Sequence, residues 1–326
     1  MASLIDPHQR RFRYLRLSIT DSCNFRCAYC LPNGSCIDPA LDRPLRLDEI
    51  THLLAGFTEL GVQKVRITGG EPTLRRDVID IMSTIGQMEG ITELALSTNG
   101  YRLARLAPRL KEVGCQAVNV SLDSLSAEKF KAVTAQNNHA DVMDGIDASL
   151  AVGMRVKINA VLMRDINEKE LPDFLEYVRD RPIAVRFIEL MRTGDNGELF
   201  QKHHVRAEHL IMDLQDKGWT ALPRAALGGP ATEFAHPDYE GRIGFITPYA
   251  KNFCAQCNRL RMSCRGELKL CLFGDGQESI RHLLQSPWQK EELKETILEK
   301  LTAKKISHSL DEGKFGNTRQ LASIGG

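Results

Sequence analysis

Three cysteines near the N-terminus are close enough in sequence to bind one inorganic centre. Cys23, Cys27 and Cys30 form a C-x3-C-x2-C pattern. A structural zinc site almost always has four protein ligands, and this stretch has no convincing fourth ligand nearby. A [4Fe–4S] cluster held by three thiolates instead of four keeps one iron open to a ligand that the protein does not supply. The spacing therefore favours a three-cysteine iron–sulfur cluster over zinc.

A second group of three cysteines lies near the C-terminus. Its pattern is C-x2-C-x13-C, formed by Cys254, Cys257 and Cys271. Cys264 lies between the last two of them as an alternate ligand, whereas Cys36 and Cys115 are expected to be small buried hydrophobic side chains. Two classes of protein stay open at this point: an iron–sulfur enzyme, and a zinc-bearing binding module without catalysis that contacts RNA.

The composition excludes other classes. The nine cysteines are an odd number, and the Arg10-Arg11 pair is followed by charged residues rather than the apolar stretch of an export signal. Reduced thiols in the cytosol are therefore expected. Lysine and arginine number 43 and aspartate and glutamate 42, a net charge of +1, which argues against binding nucleic acid or membrane through bulk charge. The sequence has no run of about 18 apolar residues, so no transmembrane helix is predicted.

Short apolar runs alternate with helix-period stretches over most of the chain, which indicates β-α units and a parallel sheet. The predicted strands are Arg13 to Thr20, Lys64 to Thr68, Glu93 to Thr98, Ala117 to Asp123, Arg155 to Met163 and Ala184 to Met191, and later Thr232 to Ala235 and Arg242 to Thr247. The predicted helices are Asp48 to Leu60, Arg75 to Met88, Leu103 to Val113, Ser126 to Val133, Val142 to Val152 and Glu168 to Arg179, a stretch ending at Gly218, and Ser279 to Gln285 and Pro287 to Lys304. Six units predict an α/β fold: an incomplete TIM-like (βα)6 barrel within residues 1–215, followed by a C-terminal region over residues 216–326.

Polar side chains share one face of several predicted strands, because side chains alternate between the two faces of a strand. The basic members of this polar face are Arg16, Lys64, Arg66 and Lys157. The apolar faces should pack against the helices, so the polar faces should line a basic interior cavity that suits a charged ligand. The alternative is an antiparallel sheet with one wet face, against which the intervening helices argue. Alternation does not decide whether Arg186 or Glu189 faces inward.

A glycine-rich motif follows the second predicted strand. Thr68-Gly69-Gly70-Glu71-Pro72 lets the backbone approach a ligand closely, and its carboxylate can bind a cationic amine. Together with the C-x3-C-x2-C pattern one strand earlier, this motif resembles the radical S-adenosylmethionine (SAM) superfamily. The resemblance implies the partial barrel, a cluster on the first cysteine group, and SAM bound to its open iron. It also implies SAM contacts from Tyr29, Gly70, Ser121 and Met191.

Motifs around the second cysteine group narrow this resemblance. They are Phe253-Cys254-Ala255-Gln256-Cys257-Asn258-Arg259-Leu260-Arg261, Leu268-Lys269-Leu270-Cys271-Leu272-Phe273, Arg186-Phe187-Ile188-Glu189, Ser97-Thr98-Asn99-Gly100-Tyr101 and Ile324-Gly325-Gly326. Together they resemble the GTP 3′,8-cyclase family of molybdenum cofactor biosynthesis over essentially the whole chain. The resemblance implies a second [4Fe–4S] cluster on the C-terminal cysteines, with the guanine of GTP on its open iron.

The same resemblance assigns further site residues. GTP contacts are implied for Arg16, Arg66, Ser97, Lys157, Arg259, Leu260 and Arg261, with Lys64 and Arg186 as weaker candidates. Catalytic roles are implied for Arg259, Arg261, Gly325 and Gly326, because the family's Gly-Gly tail enters the active site. Arginine suits a triphosphate because its planar fork donates paired hydrogen bonds to phosphate oxygens.

The implied activity is that of a radical SAM lyase. A deoxyadenosyl radical abstracts the ribose 3′ hydrogen of GTP, the carbon radical attacks guanine C8, and reduction gives (8S)-3′,8-cyclo-7,8-dihydroguanosine 5′-triphosphate, the first step of molybdopterin biosynthesis. The implied partners are a small electron-transfer protein, the downstream cyclic pyranopterin monophosphate synthase and a second copy of the chain. The nearest alternative is a peptide-modifying radical SAM enzyme, but such enzymes usually have more cysteines than the four that follow residue 250 here.

Overall fold

The structure is a computed structural model that describes residues 3–34, 43–274, 278–316, 318, 321 and 322. Cys36, Gly325 and Gly326 lie outside the described residues. The described strands are β1 (Tyr14–Ser18), β2 (Lys64–Thr68), β3 (Glu93–Thr98), β4 (Ala117–Ser121), β5 (Arg155–Leu162), β6 (Ile183–Glu189), β7 (Thr220–Ala221), β8 (Thr232–Ala235), β9 (Arg242–Ile246), β10 (Arg259–Met262), β11 (Glu267–Lys269) and β12 (Glu278–Ser279).

Helices connect these strands as the β-α pattern predicts. They are α1 (Leu47–Glu59), α2 (Val78–Gly86), α3 (Leu103–Glu112), α4 (Ala127–Thr134), α5 (His139–Ala151), α6 (Leu171–Val178), α7 (Gly197–His203), α8 (Glu208–Asp216) and α9 (Lys290–Leu301). The stretch Ser279 to Gln285, predicted as a helix, forms only a 3-10 turn at Arg281–Leu284. Within the described ranges, no helix has both the length and the apolar character that crossing a membrane requires.

The sheet is parallel at its centre and runs through both halves of the chain. Its order is β12-β11-β10-β1-β2-β3-β4-β5-β6-β9-β8-β7. The six predicted strands β1 to β6 are adjacent and parallel, and β10 and β9 extend them in parallel at the two sides. The strands after residue 216 therefore belong to the same sheet as the predicted barrel, and residue 215 lies in the last turn of α8.

Glycines end several of the β-α units. Gly61, Gly114 and Gly153 follow α1, α3 and α5 and have φ values of 92°, 89° and 72°. Only glycine adopts this left-handed region without steric cost, so it ends a helix and turns the chain toward the next strand. These are positions at which the sequence predicts breaks.

The apolar core lies between the sheet and its helices. Leu15, Leu17 and Ile19 of the first strand are fully buried there, with Val65 and Ile67 of the second. The opposite face of the same strands carries Arg16 and Arg66, so the predicted division into an apolar and a basic face is confirmed for β1 and β2. On β6, Phe187 packs against Phe174 of α6 on the outer face, which leaves Arg186 on the inner face.

Candidate active site

A pocket lies on the inner face of the sheet and is lined by residues of β10, β1, β2, β5, β6 and β9. Its empty space, including the solvent at its open mouth, is about 940 Å³. Its polar lining residues are Tyr14, Arg16, Asn159, Arg66, Arg186, Arg259, Arg261, Cys254, Cys257, Cys271 and His308. The pocket therefore combines the second cysteine group with five arginines.

Three of these arginines form a row across adjacent strands. Arg16 of β1 is in register with Arg261 of β10 on one side and with Arg66 of β2 on the other. All three are nearly buried, at 6–8% exposure. Burial, followed by repulsion from the neighbouring guanidinium groups, lowers the pKa of Arg16 and lowers that of Arg261 to about 10. Arg261 stays cationic at neutral pH, so the row is a built concentration of positive charge.

Several polar atoms of the pocket are buried without a hydrogen-bond partner among the residues that the structure describes. They are Nε of Arg66, Nε of Arg186, Nε of Arg259, the hydroxyl of Tyr14 and Oδ1 of Asn159. Native proteins satisfy most buried donors, because an unpaired one costs about 1–3 kcal/mol. Four of the five atoms are donors or hydroxyls, so the pocket suits a ligand rich in acceptor oxygens and negative charge.

The environment of the second cysteine group favours thiolates that can act as metal ligands. Although burial alone raises the pKa of Cys254, hydrogen bonds from His308 and Ser307 outweigh it and lower this pKa to about 7. Burial also raises the pKa of Cys257, but the positive charges of Arg259 and Lys304 outweigh burial, so this pKa is lowered as well. Since only the thiolate binds metal, these residues favour the ligand form before any metal is present.

The first cysteine group follows β1 in a different environment. Burial, then the Asp123 carboxylate, then the two other thiols of the group raise the pKa of Cys27, and burial first of all raises the pKa of Cys30 to about 12. Since the charges of Cys23 and Cys30 act on Cys27, the three sulfurs lie in one region of the structure. Within the described residues, no group of three or more His, Cys, Asp or Glu side chains is arranged to hold a metal ion, so shared ligation of one cluster stays a prediction. The main-chain N–H of Phe25 donates to the Cys23 sulfur at 3.4 Å.

The C-terminal tail runs to this first group. The main-chain N–H groups of Leu321 and Ala322 hydrogen-bond the sulfur of Cys30. Upstream, the Thr318 carbonyl accepts from the Gly194 N–H at 3.1 Å, and the Thr318 hydroxyl donates to the Leu272 carbonyl. The tail therefore passes from the second cysteine group toward the first.

The residues expected to contact SAM lie in different settings. The Tyr29 hydroxyl donates to Oδ2 of Asp123 at 3.0 Å, and Met191 lines the pocket. A side chain at Gly70 would come within 2.3 Å of the Ser22 carbonyl oxygen, so glycine is required there by packing against the cysteine loop. Ser121 ends β4 in register with Asn159. The SAM contacts themselves stay predictions.

One expectation about the glycine-rich motif is wrong. Glu71 is fully buried, and both of its carboxylate oxygens are used within the protein. Oε1 accepts from the N–H and hydroxyl of Thr73 and from the hydroxyl of Thr98, and Oε2 accepts from the Asn99 N–H at 2.6 Å. Its role is to hold the ends of β2 and β3 together, and no oxygen is left for an amine.

The remaining predicted GTP contacts are not all brought to the pocket. Lys64 forms an ion pair with Glu93 at 3.0 Å and Lys157 one with Glu233 at 3.0 Å. Ser97 lies on β3 and does not line the pocket. The side chain of Leu260 is 1% exposed and packs in the core, because alternation along β10 turns it away from Arg259 and Arg261; only its main chain is on offer.

Several residues that line the pocket were not predicted from the sequence. Tyr14 lies two residues before Arg16 and therefore on the same strand face, a signal that alternation already provides. Phe273 belongs to the motif around Cys271, which assigns it no role, and His308 comes from the C-terminal segment, for which the sequence offers no pattern. Cys264 is fully buried and does not line this pocket, so the structure does not bring it to the second group.

Comparison with known proteins identifies the family. A model described as the Radical SAM superfamily matches residues 17–178, and one described as Molybdenum Cofactor Synthesis C matches residues 183–310. A protein named GTP 3′,8-cyclase from Pectobacterium atrosepticum is 50% identical over 328 residues, covering 100% of both chains. The chain belongs to the GTP 3′,8-cyclase family. Relatives with this name from Haemophilus influenzae (50% identity, 99% of this chain and 96% of the other) and Synechococcus elongatus (46%, 100% of both) agree.

Solved structures of low sequence identity share the fold of this cyclase family member. Streptococcus suis SuiB bound to S-adenosylmethionine has a TM-score of 0.59 at 16% identity, covering 89% of this chain and 69% of the other. SuiB bound to its precursor peptide SuiA has a TM-score of 0.60 at 14% identity, covering 91% and 68%. Membership of the radical SAM superfamily implies SAM and a [4Fe–4S] cluster.

Proposed function

We propose that this chain converts GTP into (8S)-3′,8-cyclo-7,8-dihydroguanosine 5′-triphosphate, the first step of molybdopterin biosynthesis. The observation that carries the proposal is the pocket itself, which is lined by five arginines and three cysteine thiols. A nucleoside triphosphate has the matching chemistry: a polyanionic end for the guanidinium groups and a base with nitrogen and oxygen donors for a metal centre.

The arginines bind and orient the substrate. Arg16, Arg66 and Arg261 form the charged row, and a triphosphate laid across it would relieve their mutual repulsion. Arg186 and Arg259 each have a buried Nε with no protein partner, and these donors favour phosphate or ribose oxygens. We keep Lys157 and Ser97 as secondary contacts, since Lys157 would first have to leave Glu233.

Two cofactor sites belong to this proposal. Cys23, Cys27 and Cys30 would hold the cluster that binds SAM, which together supply a carbon radical able to abstract a hydrogen atom. Cys254, Cys257 and Cys271 would hold a second [4Fe–4S] cluster with an open iron, since three thiolates leave a fourth coordination position. Because all three cysteines line the arginine pocket, that position would be available to a guanine bound there. Positioning is the main task of the protein, because a hydrogen abstraction depends on distance and orientation.

The tail and the partners complete the proposal. The path of Thr318, Leu321 and Ala322 toward Cys30 supports an approach of Gly325 and Gly326 to the active site. A small electron-transfer protein would supply electrons, the cyclic pyranopterin monophosphate synthase would consume the product, and a second copy of the chain would form a homodimer. A reducing cytosol suits the eight described cysteines, which are all free thiols.

The test is an anaerobic reaction of the reconstituted protein with GTP, SAM and dithionite. One hydrogen leaves the ribose and one is added to the base, so the product is an isomer of GTP and must be separated by chromatography before mass analysis. We expect a new nucleotide of unchanged mass together with 5′-deoxyadenosine. R66M should abolish the nucleotide product, whereas R105M, an exposed arginine on α3, should not. Formation of 5′-deoxyadenosine with GTP unconsumed in the native protein would refute the proposal.

A further inference from the structure

The N-terminal segment carries a buried ion pair. The guanidinium of Arg10 lies 2.6 Å from Oδ2 of Asp6, and the Arg10 Nε donates to the same oxygen at 2.7 Å. Both residues are almost fully buried, at 8% and 2% exposure. A buried ion pair is weak evidence of stability, because the desolvation of both charges opposes their attraction. The pair therefore calls for a further role.

The rest of the Arg10 guanidinium reaches two segments that are far away in the sequence. One terminal nitrogen donates to the carbonyl of Cys254 at 3.0 Å and to that of Ile306 at 2.6 Å, and the other donates to the carbonyl of Lys305 at 2.7 Å. A single planar fork thus fixes the spacing between the loop of the second cysteine group and the segment that follows α9.

That C-terminal segment in turn contacts the sulfur of Cys254. Ser307 and His308 lie close enough to this sulfur to lower the pKa of the Cys254 thiol. The His308 ring packs against Phe253 and Phe273, with centroids 5.9 Å and 5.6 Å away. Hydrogen bonds to a ligand sulfur orient it and raise the reduction potential of its cluster.

A neighbouring lysine repeats the arrangement at another cysteine. Lys304 is 5% exposed and donates to the carbonyl of Leu270, the residue before Cys271. Lys304 and Arg10 both lie over the ring of Phe12, at 5.1 Å and 6.0 Å. The N-terminal segment, the C-terminal segment and the cysteine loops are therefore packed as one unit.

We infer that Arg10 is a positioning residue for the second iron–sulfur cluster, because its guanidinium ties the main chain of Cys254 to the segment that carries Ser307 and His308. This inference rests on the second cluster of the proposed function. Loss of the fork lets the polar groups of that segment move away from the Cys254 sulfur, so the second cluster becomes harder to reduce and easier to lose. The first cluster, on the other cysteine group, is unaffected.

The experiment compares R10K with R11K in the full-length, anaerobically reconstituted protein. Lysine keeps the charge beside Asp6 but has no planar fork, and Arg11 is the exposed neighbour. Iron content and a redox titration followed by electron paramagnetic resonance are measured on each. Wild type and R11K should bind about eight irons. R10K should lose at least half of the iron of the second cluster, or show a more negative midpoint potential for that cluster alone.

A second variant guards against loss of folding in R10K. S307A removes the hydroxyl that lies beside the Cys254 sulfur and should also make the potential of the second cluster more negative, with the first unchanged. Unchanged iron content and potential in R10K and S307A would overturn the inference while the second cluster stands. A wild-type protein with about four irons would instead overturn the second cluster itself, and the inference with it.

Discussion

Arg16 and Arg261 are direct register partners on the adjacent parallel strands β1 and β10, although they lie near opposite ends of the chain. Both are buried, and after burial itself the charge of Arg261 is the largest cause that lowers the pKa of Arg16. Two like charges in a buried register pair oppose folding. An anion bound beside both arginines would offset this repulsion. The pair thus links stability and substrate binding in opposite directions.

The first prediction tests that link with R261M. In the ligand-free protein we expect the free energy of unfolding to rise by about 1 kcal/mol, because a buried like-charge repulsion is removed and methionine keeps the volume. The affinity for GTP should fall by about 10- to 100-fold, the worth of one charge-assisted hydrogen bond. Urea denaturation and calorimetric titration measure the two effects, with R105M as the exposed control. A variant that is less stable and binds GTP normally would contradict the account.

The second prediction concerns Glu233, which neutralises Lys157 at 3.0 Å. If Lys157 contacts the triphosphate, E233Q removes its competing partner, and GTP should bind a few-fold more tightly, in line with about 1 kcal/mol for a partly buried pair. D238N, at an exposed carboxylate, is the control. Equal GTP affinity in E233Q and the native protein would show that Lys157 serves only the ion pair.

The third prediction separates a structural from a ligand-binding role of Glu71. E71Q places an NH2 group where the carboxylate accepts hydrogen bonds from Thr73, Thr98 and Asn99, so we expect a loss of about 2–4 kcal/mol in the free energy of unfolding. SAM affinity of the folded protein should be unchanged. E89Q, exposed after α2, should match the native protein in both measurements. A loss of SAM affinity without a loss of stability would restore the amine-binding role.

The fourth prediction is a pH dependence at Glu49 of α1. Burial by itself raises the pKa of this carboxyl, but hydrogen bonds from Arg281, the Arg46 N–H and Gln285 outweigh it and lower the pKa to about 2. A lowered pKa in the folded state stabilises the protein above the unfolded value of 4.5 and the stabilisation is lost as the pH falls toward 2. The difference amounts to about 3 kcal/mol at neutral pH.

The measurement for Glu49 is the free energy of unfolding of the metal-free protein against pH, compared with E49Q. The advantage of the native protein over E49Q should shrink below about pH 4.5. E59Q is a matched control, because Glu59 is also on α1 and pairs with lysines at the surface. Parallel curves for the native protein and E49Q would refute the assignment.

Some features of the site follow from sequence because they depend on near neighbours. The alternation along β1 and β2 places Arg16 and Arg66 on one face, and the predicted bounds of β2 and β3 agree with the structure. Local rules fail where a contact is made at a distance. The four residues Arg259–Met262 alternate between basic and apolar side chains but are too few to predict a strand by themselves, and they form one by pairing in parallel with β1.

Sequence alone determined the two cysteine groups, the six β-α units and the basic face, since thiolate spacing, hydrophobic period and side-chain alternation are properties of adjacent residues. Tertiary structure alone decided which cations line the pocket. Lys64 and Lys157 form ion pairs with Glu93 and Glu233, whereas Arg259 and Arg261 lie on the strand next to Arg16. It also decided that Arg10 holds Cys254. The physical reason is that charge pairing and strand pairing depend on distance in space, which the order of residues along a chain does not contain.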